Sequence, residues 1–526
     1  MRHLITILAA LATSSGTGHA QTAPAIAWQY NYGGSMPDAG YDISRTSDGG
    51  YIIAGITQSS DGDVIGHQGL RDIWLVKLQA DGAMEWQRCY GGSADDGSRC
   101  VVRETADGGV ILSGTTYSTD GDVECTVPIG QKAWVVKTDA LGSIVWQRCL
   151  GGSGTDGLHS IAPVDGGYVL SGSTSSPDGD AIGNHGLADA WVVKLDAEGS
   201  TLWSRCYGGS HIDAARSVAA TSDGGCIVIG HTQSNDGDLM GINPYHAPPA
   251  PSHTGWILKL DEHGAIQWQR CYGGSGNDYL NDVRVAPDGT FWVAGVTTSN
   301  NGDVSGHHGN NDGWVLRLAA NGDLIGQRCL GGSDWDQLNG LDLLPNGHAL
   351  VTGYTRSTDG DVTDPLGASD AWVSQLDPDL NIVWQRNYGG SAHDQGSSIR
   401  VTPDGGAVFT GSSHSNDGDL TGNNGGSDLW VVKLAPWDGT GLHDAAANGA
   451  LQVYPNPAAD VLHVQLEQGN HGPFAWEVRD MLGRVAMQDQ GARDHITVPT
   501  GGLATGSYLF LLRTNNGPVA RQFVKQ

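Results

Sequence analysis

Apolar and polar residues alternate along this chain in short bursts, and nothing in them has a helical period. Residues 41–90 are typical. A strand opens at residues 42–45, and Asp48-Gly49-Gly50 makes a hairpin turn in which glycine supplies the positive φ. Tyr51–Thr57 is apolar, and a long loop over residues 58–72 carries Asp61-Gly62-Asp63. Residues 73–78 form a third strand, Asp81-Gly82 a second tight turn, and Met84–Tyr90 a fourth strand with period-two character. A sheet of four such strands has two faces to cover, so it cannot be stable alone.

The same order recurs. Gly-Gly-Ser triplets begin at Gly33, Gly91, Gly151, Gly208, Gly273, Gly331 and Gly389, in steps of 58, 60, 57, 65, 58 and 58 residues. A tryptophan returns on the third strand at Trp74, Trp134, Trp191, Trp256, Trp314, Trp372 and Trp430. Another returns on the fourth at Trp28, Trp86, Trp146, Trp203, Trp268 and Trp384, with Gly326 in its place once. Bulky residues on strands, and not in loops, predict core filling between blades. Stacked radially, the sheets cover one another's faces, so the fold expected is all-β, a seven-bladed β-propeller. Before the first triplet lies only a fourth-type strand, residues 26–31, and after the last lie a first, second and third strand ending near Leu434. The N-terminal strand is expected to complete the last blade and close the ring, which removes two exposed sheet edges.

The stretch DGGYIIAGITQSSDGD followed by DIWLVKLQADGAMEWQRCYGGS resembles the bacterial secreted β-propeller repeat, over about residues 26–435. That resemblance implies the fold and leaves the ligand open. Composition shifts after Lys433. Residues 437–449 read as a linker, and strand-like alternation returns from residue 450, enough for a small β-sandwich. Tyr454-Pro455-Asn456-Pro457, the turn Asp480-Met481-Leu482-Gly483-Arg484, Gly506-Ser507-Tyr508 and the closing Lys525 resemble the C-terminal sorting domain of the type IX secretion system of Bacteroidota. The resemblance implies export across the outer membrane and a secreted or cell-surface location, with the secretion machinery as partner of residues 450–526. At the other end Arg2 and His3 precede an apolar run from Leu4 to about Ala12, then Gly18-His19-Ala20. This pattern predicts a secretory signal peptide over residues 1–20, too short to span a bilayer. The propeller is then expected over residues 21–436.

The net charge is −29, from 57 acidic against 28 basic residues. Such a field excludes nucleic acid and anionic lipid as partners and favours cations. Of eight cysteines, Cys89, Cys149, Cys206, Cys271 and Cys329 occupy one repeat position on different blades, too far apart to pair with each other. Cys100, Cys125 and Cys226 are irregular, and Cys125 can pair with Cys149, since both are expected toward one face of one blade. No C-x-x-C pair suggests zinc.

Carboxylates crowd two loop types expected on one propeller face. The GGS-x-x-D loops carry Asp38, Asp96, Asp156, Asp213, Asp278, Asp336 and Asp394. The long loops carry Asp61/Asp63, Asp120/Asp122, Asp178/Asp180, Asp236/Asp238, Asp359/Asp361 and Asp417/Asp419, with Asn301/Asp303 in one blade. An acidic face is expected. Each Asp has a structural reading as an acceptor of backbone N–H groups in tight turns. Calcium is the one cation the loops suggest, since paired carboxylates and carbonyls suit it, but no cofactor is assigned. Paired-carboxylate catalysis is disfavoured, because one substrate needs one asymmetric site. The fourth long loop breaks the pattern with prolines and with Tyr245, His246 and His253, while His67, His185, His307 and His308 are scattered over other loops. No nucleophile-elbow, zincin or phosphate-loop motif occurs. The expectation is a secreted binding or scaffold propeller for an extracellular glycan or protein, with no residue assigned to catalysis, a cofactor or a metal. The alternative is a polysaccharide-active hydrolase or lyase working at the acidic face or channel mouth.

Overall fold

The computed structural model describes residues 23–125, 130–240, 252–420, 422–437 and 443–444, and near the C-terminus residues 451–454, 458–466, 474–480, 485–491, 495–514 and 517–525. The expected signal peptide, Tyr245 and His246, most of the expected linker, residues 455–457 and the turn at 481–484 lie outside the described residues.

Seven four-stranded antiparallel sheets follow in chain order. Blades one to six cover residues 38–90, 101–150, 156–207, 213–272, 278–330 and 336–388. Blade seven joins residues 394–434 to the N-terminal strand Ile26–Tyr32. The first strand of blade one starts at Asp38, not at residue 42, because a bulge at Tyr41 carries the pairing past Gly40.

The clasp is specified chemically as well as by pattern. Each third-strand tryptophan is at most 1% exposed, so its indole N–H needs an internal acceptor. Trp74 donates to Gln87 at 2.8 Å, Trp134 to Gln147 at 2.8 Å and Trp372 to Gln385 at 2.6 Å, each on the fourth strand of its own blade. In blade seven the acceptor is Gln29, 3.1 Å from Trp430 Nε1 and supplied by the N-terminal strand, with Asn31 opposite Trp430 in register.

The cores lie in the wedges between blades. One apolar cluster joins Ile52 and Ala54 of blade one to Val102 and Trp134 of blade two, and the last joins Val408 and Leu429 of blade seven to Ile43 and Trp74 of blade one. The fourth-strand tryptophans reach across these joints, Trp146 Nε1 donating to the Ala197 carbonyl and Trp203 Nε1 to that of Glu262. Tyr32 and Tyr90 add hydroxyl bonds to the next blade's turn, at Gly82 and Gly142, of 2.5 and 2.6 Å.

Cys125 and Cys149 form a disulfide, with Cα atoms 5.5 Å apart, that ties the long loop of blade two to its fourth strand. Cys89, Cys206, Cys271 and Cys329 stay free, as blade separation requires. Trp437, placed at the start of the linker by composition, instead packs edge-on against Trp384 at 5.4 Å and donates to Gln375 at 2.7 Å.

The C-terminal strands form two sheets. One holds Phe474–Asp480, Val485–Gly491, Gly506–Thr514 and Gly517–Lys525; the other holds Leu451–Tyr454, Val461–Leu466 and His495–Pro499. Leu462, Val464, Trp476, Val478, Phe510 and Phe523 fill the space between them. His443–Asp444, inside the expected linker, pairs in parallel with Val519 and Ala520.

Gln29→Ala strands the Trp430 indole N–H in a dry wedge. The expected loss is about 1–3 kcal/mol, read as a lower midpoint in urea unfolding. Gln29→Glu, which restores an acceptor, recovers part of it. An unchanged midpoint for Gln29→Ala would show that the clasp does not depend on this bond.

Candidate functional site

The repeated carboxylates are spent on architecture. Asp96 is fully buried and accepts the Gly92 N–H at 2.7 Å, the Thr116 hydroxyl at 2.5 Å and the Ser118 hydroxyl at 2.7 Å. Asp156, Asp213, Asp278, Asp336 and Asp394 take the matching three donors, and Asp38 takes those of Gly34 and Ser59. The recurring Thr-x-Ser at the end of the second strand is the donor pair in blades two to six, and Ser413-His414-Ser415 serves in blade seven. The first Asp of each Asp-Gly-Asp, exposed, accepts the serine N–H of the Gly-Gly-Ser loop, as Asp61 does from Ser35 at 2.7 Å and Asp120 from Ser93 at 2.7 Å. The second is half-buried, and in Asp63, Asp180, Asp238 and Asp419 it accepts a glycine N–H, as Asp63 does from Gly33 at 3.2 Å. The expectation that all these carboxylates line an acidic face is therefore corrected: the GGS-x-x-D set is interior, because its hydrogen bonds knot the loops from within.

A second set of aspartates, opening the third strands, is buried with one oxygen unpartnered: Oδ1 of Asp72, Asp189, Asp312, Asp370 and Asp428. Asp72, Asp189, Asp370 and Asp428 face the interior aspartate of the next blade. Between Asp72 and Asp96 only glycine fits, since a Cβ on Gly91 would lie 2.6 Å from Asp72 Oδ1 and 2.7 Å from Asp96 Oδ2. Burial raises Asp72, Asp189 and Asp428 to about 6, and the carboxylate across the joint adds to the rise. Burial raises Asp312 and Asp370 as well. Two such oxygens together need positive charge between them, a proton or a cation. Blade two meets the need with a side-chain cation: Lys132 replaces the aspartate, and its ammonium lies 3.5 Å from Asp156 and 3.0 Å from the Gly154 carbonyl.

The loop histidines do not form one site. His185 Nδ1 contacts Asp189 at 2.7 Å and His308 Nδ1 contacts Asp312 at 2.9 Å, in separate blades. His307 Nε2 is 4.0 Å from Asp312, and His67 Nε2 has no hydrogen-bond partner. Among the described residues no three His, Cys, Asp or Glu side chains converge as a metal centre.

The asymmetric chemistry is in the central channel. The innermost strands carry a bulge at one repeat position, which turns Tyr41, His159, Arg216, Asn281, Asn339 and Ser397 toward the axis. Blade two carries one residue more, with eleven steps from Asp96 to Asp107 against ten from Asp38 to Asp48, and Arg99 takes the strain at φ 50°. These side chains line a cavity of 290 Å³, and a second cavity of 560 Å³ opens at the hairpin-turn side. Arg103 and Arg400 line both. They converge on Asp42, which accepts from Arg103 and, at 2.7 Å, from Arg400. Burial alone would raise Asp42, but the two guanidinium groups and the bonds from Ser398 and Val102 outweigh it and hold the carboxyl at about 2. Asp282 is likewise engaged by Arg284 at 2.6 Å.

Arg99 and Arg216, on the other side of the smaller cavity, make no hydrogen bond or ion pair with any described residue. Burial and the charge of Arg99 lower Arg216 to about 9. His159, with Nδ1 unpartnered, is lowered to about 3 by burial and by both arginines. Beside Arg216, His231, His253 and Tyr279 form an aromatic trio with ring centres 4.8–4.9 Å apart, and Nδ1 of both histidines is unpartnered. His253 was legible as a candidate; Arg99, His159 and Arg216 were missed. The available signal was the one inner position where the repeat stops repeating.

The class of protein is a ring-closed propeller with a sorting tail. Residues 452–526 match the family described as the secretion system C-terminal sorting domain, so the chain is sorted by the type IX secretion system of Bacteroidota to the cell surface or extracellular space. Among curated proteins it is similar to the regulatory protein FlaEY of Caulobacter vibrioides, 24% identical over 188 residues, which span 34% of this chain and 19% of that protein. Among solved structures it is similar to the WD40 domain of Neurospora crassa Pan2 (10% identity, 78% of this chain and 96% of that one, TM-score 0.41). It is also similar to PorZ, a surface component of the type IX system of Porphyromonas gingivalis (12% identity, 93% and 81%, TM-score 0.21). Among the described residues no helix is long and apolar enough to cross a membrane.

The raised aspartates bind protons more tightly folded than unfolded between about pH 4 and 6, so their contribution to stability falls as pH rises through that window. Asp42, held low, contributes above pH 4 and is lost toward pH 2. In chelator, the thermal midpoint is expected to rise from pH 7 to about 4.5 and to fall steeply below. Replacing Asp72, Asp189 and Asp428 together by Asn flattens the upper limb, each group carrying on the order of 1–3 kcal/mol. A wild-type midpoint flat between pH 4.5 and 7 would contradict the charge pairing.

Proposed function

We propose that this is an exported binding propeller whose ligand enters the central channel from the long-loop side. The observation carrying this reading is the loss of sevenfold equivalence around the channel axis. Loops, tryptophans and interior aspartates repeat blade after blade, whereas the inward positions read Tyr41, Arg99, His159, Arg216, Asn281, Asn339 and Ser397. A pure scaffold has no use for seven near-unrelated side chains around one axis. The hydrolase or lyase alternative shares this site, but the cavity's carboxylates, Asp42 and Asp282, are held in ion pairs, which leaves binding the simpler reading. A glycan array probed with the exported protein tests it. Retention of a small set of glycans is expected, lost when the channel variant Arg216→Gln is used. Binding that survives this change would move recognition out of the channel, and turnover of a retained glycan would favour the enzyme.

A second reading, a cation-stabilised scaffold, draws on the five unpartnered Oδ1 atoms and the ammonium of Lys132. Calcium between the paired carboxylates would do in the other joints what Lys132 does in its own. Millimolar calcium against chelator at pH 7.5 is then expected to raise the thermal midpoint by several degrees. An unchanged midpoint removes calcium and leaves the proton as the shared charge.

A further inference from the structure

We propose that the smaller channel cavity binds an oxyanion group, a carboxylate, sulfate or phosphate on a ligand about the size of one sugar, gripped by Arg99 and Arg216 with His159 between them. The proposal rests on the channel-binding reading and adds the chemistry of the ligand.

Three independent observations converge on it. First, in a chain of 57 acidic and 28 basic residues, two guanidinium groups face one cavity with no carboxylate partner. The carboxylates that line the same cavity, Asp42 and Asp282, are engaged by other arginines. Unpaired guanidiniums sharing one cavity repel each other, and burial together with the charge of Arg99 lowers Arg216. Second, polar atoms of the cavity lining are orphaned too: Arg216 Nε and His159 Nδ1 lack hydrogen-bond partners. Interior donors and acceptors without partners are rare, and several facing one space indicate a missing polar group. Third, Arg99 stands on an inserted residue in a left-handed conformation that arginine rarely adopts. Such strain persists where the surroundings impose it, commonly at ligand sites.

The chemistry follows from these donors. A guanidinium presents parallel N–H groups that match two oxygens of one oxyanion, and two of them from different blades can hold it from two sides. An anion there would relieve the repulsion between the arginines and allow His159 to take a proton, adding a third donor. Tyr41 and Tyr354 line the wall beside the site and offer ring faces and hydroxyls to the uncharged part of the ligand. The cavity, 290 Å³, is at the small end for ligand pockets, which limits the bound part to roughly one ring.

Calorimetric titration of the exported protein with glucuronate, inorganic sulfate, inorganic phosphate and glucose tests this. At least one anion is expected to bind and glucose is not. Arg99→Gln and Arg216→Gln are each expected to weaken the anion about tenfold or more, the effect of losing one charge-assisted hydrogen bond, and the double variant to abolish it. Arg45→Gln, at the opposite cavity, leaves binding unchanged. Arg99 is exposed to the lumen, so Arg99→Gln carries the test if Arg216→Gln fails to fold. Glucuronate alone binding identifies a carboxylate on a sugar; sulfate or phosphate binding as well identifies a general oxyanion pocket. No binding of any anion into the tens of millimolar, equal binding of glucose, or wild-type affinity in the double variant overturns the proposal. An array hit indifferent to Arg99→Gln would sink this proposal while a channel ligand still stands. Anion binding with an empty array would sink the glycan reading alone.

Discussion

A buried carboxylate, repeated around the ring, organises one end of every blade. Asp96 and five of its equivalents each draw a glycine N–H, a threonine or serine hydroxyl and a second serine hydroxyl onto one acceptor in a dry site, and Asp38 draws the glycine and the second serine. Charge-assisted bonds of this kind are worth more than neutral ones, and a buried anion without them would be untenable. The knot fixes the loop entering each blade against the long loop leaving its second strand. Everything outward of it inherits the order: the Asp-Gly-Asp turns hang on the Gly-Gly-Ser backbone, and the third strand starts in register beside them.

That arrangement decides where specificity can reside. Loops whose carboxylates are bound to their own backbone have little freedom to diverge, because any change breaks the knot before it alters a surface. The inward bulge is different. It lies outside the ladder, contributes no cross-strand pair and points at water, so blades can vary there at little cost to folding. The channel accordingly holds two regimes. Around Asp42 the charges are matched, Arg103 and Arg400 closing on one carboxylate from neighbouring blades across the ring closure. Around Arg99 and Arg216 they are not matched. Arg103, Arg284 and Arg400 each meet a carboxylate in the channel, whereas Arg99 and Arg216 do not.

The architecture was open to reading from the sequence because its period is enforced by packing that repeats. Trp430 needed an acceptor, the last blade lacked a fourth strand, and Gln29 lay on an orphan strand at the start; the three facts have one solution. The channel was harder to read for the opposite reason. Arg99, His159 and Arg216 sit 57 to 60 residues apart and meet only after the ring closes. A search for motifs attends to what recurs, and these positions matter because they do not. The aspartates misled in the reverse sense: their abundance suggested a charged surface, while the hydroxyl donors that bury them stood 18 to 22 residues further along the same repeat. The disulfide was legible only as an allowed geometry, since spacing bounds where two cysteines can meet without choosing between bonded and free.

The sorting tail sets the conditions under which the channel works. Outside the cell no compartment supplies a fixed pH or a reducing pool, and the protein must hold its ring in whatever medium it meets. The covalent and charge-neutral devices fit that demand: the tie between Cys125 and Cys149, the ammonium of Lys132 in place of a carboxylate, and the Lys77–Asp48 and Lys433–Asp404 bridges that clamp hairpin turns to third strands. The long-loop rim, with its exposed Asp61, Asp120, Asp178, Asp236, Asp359 and Asp417, surrounds the approach to the arginines with negative charge. Over a Debye length of about 8 Å at physiological salt that rim is screened from bulk solution yet still opposes anions passing close to it. A bare anion would be slowed by the rim. A ligand carrying neutral, hydroxyl-rich mass around one acidic group crosses it at lower cost, and meets the arginines where screening by water is weakest.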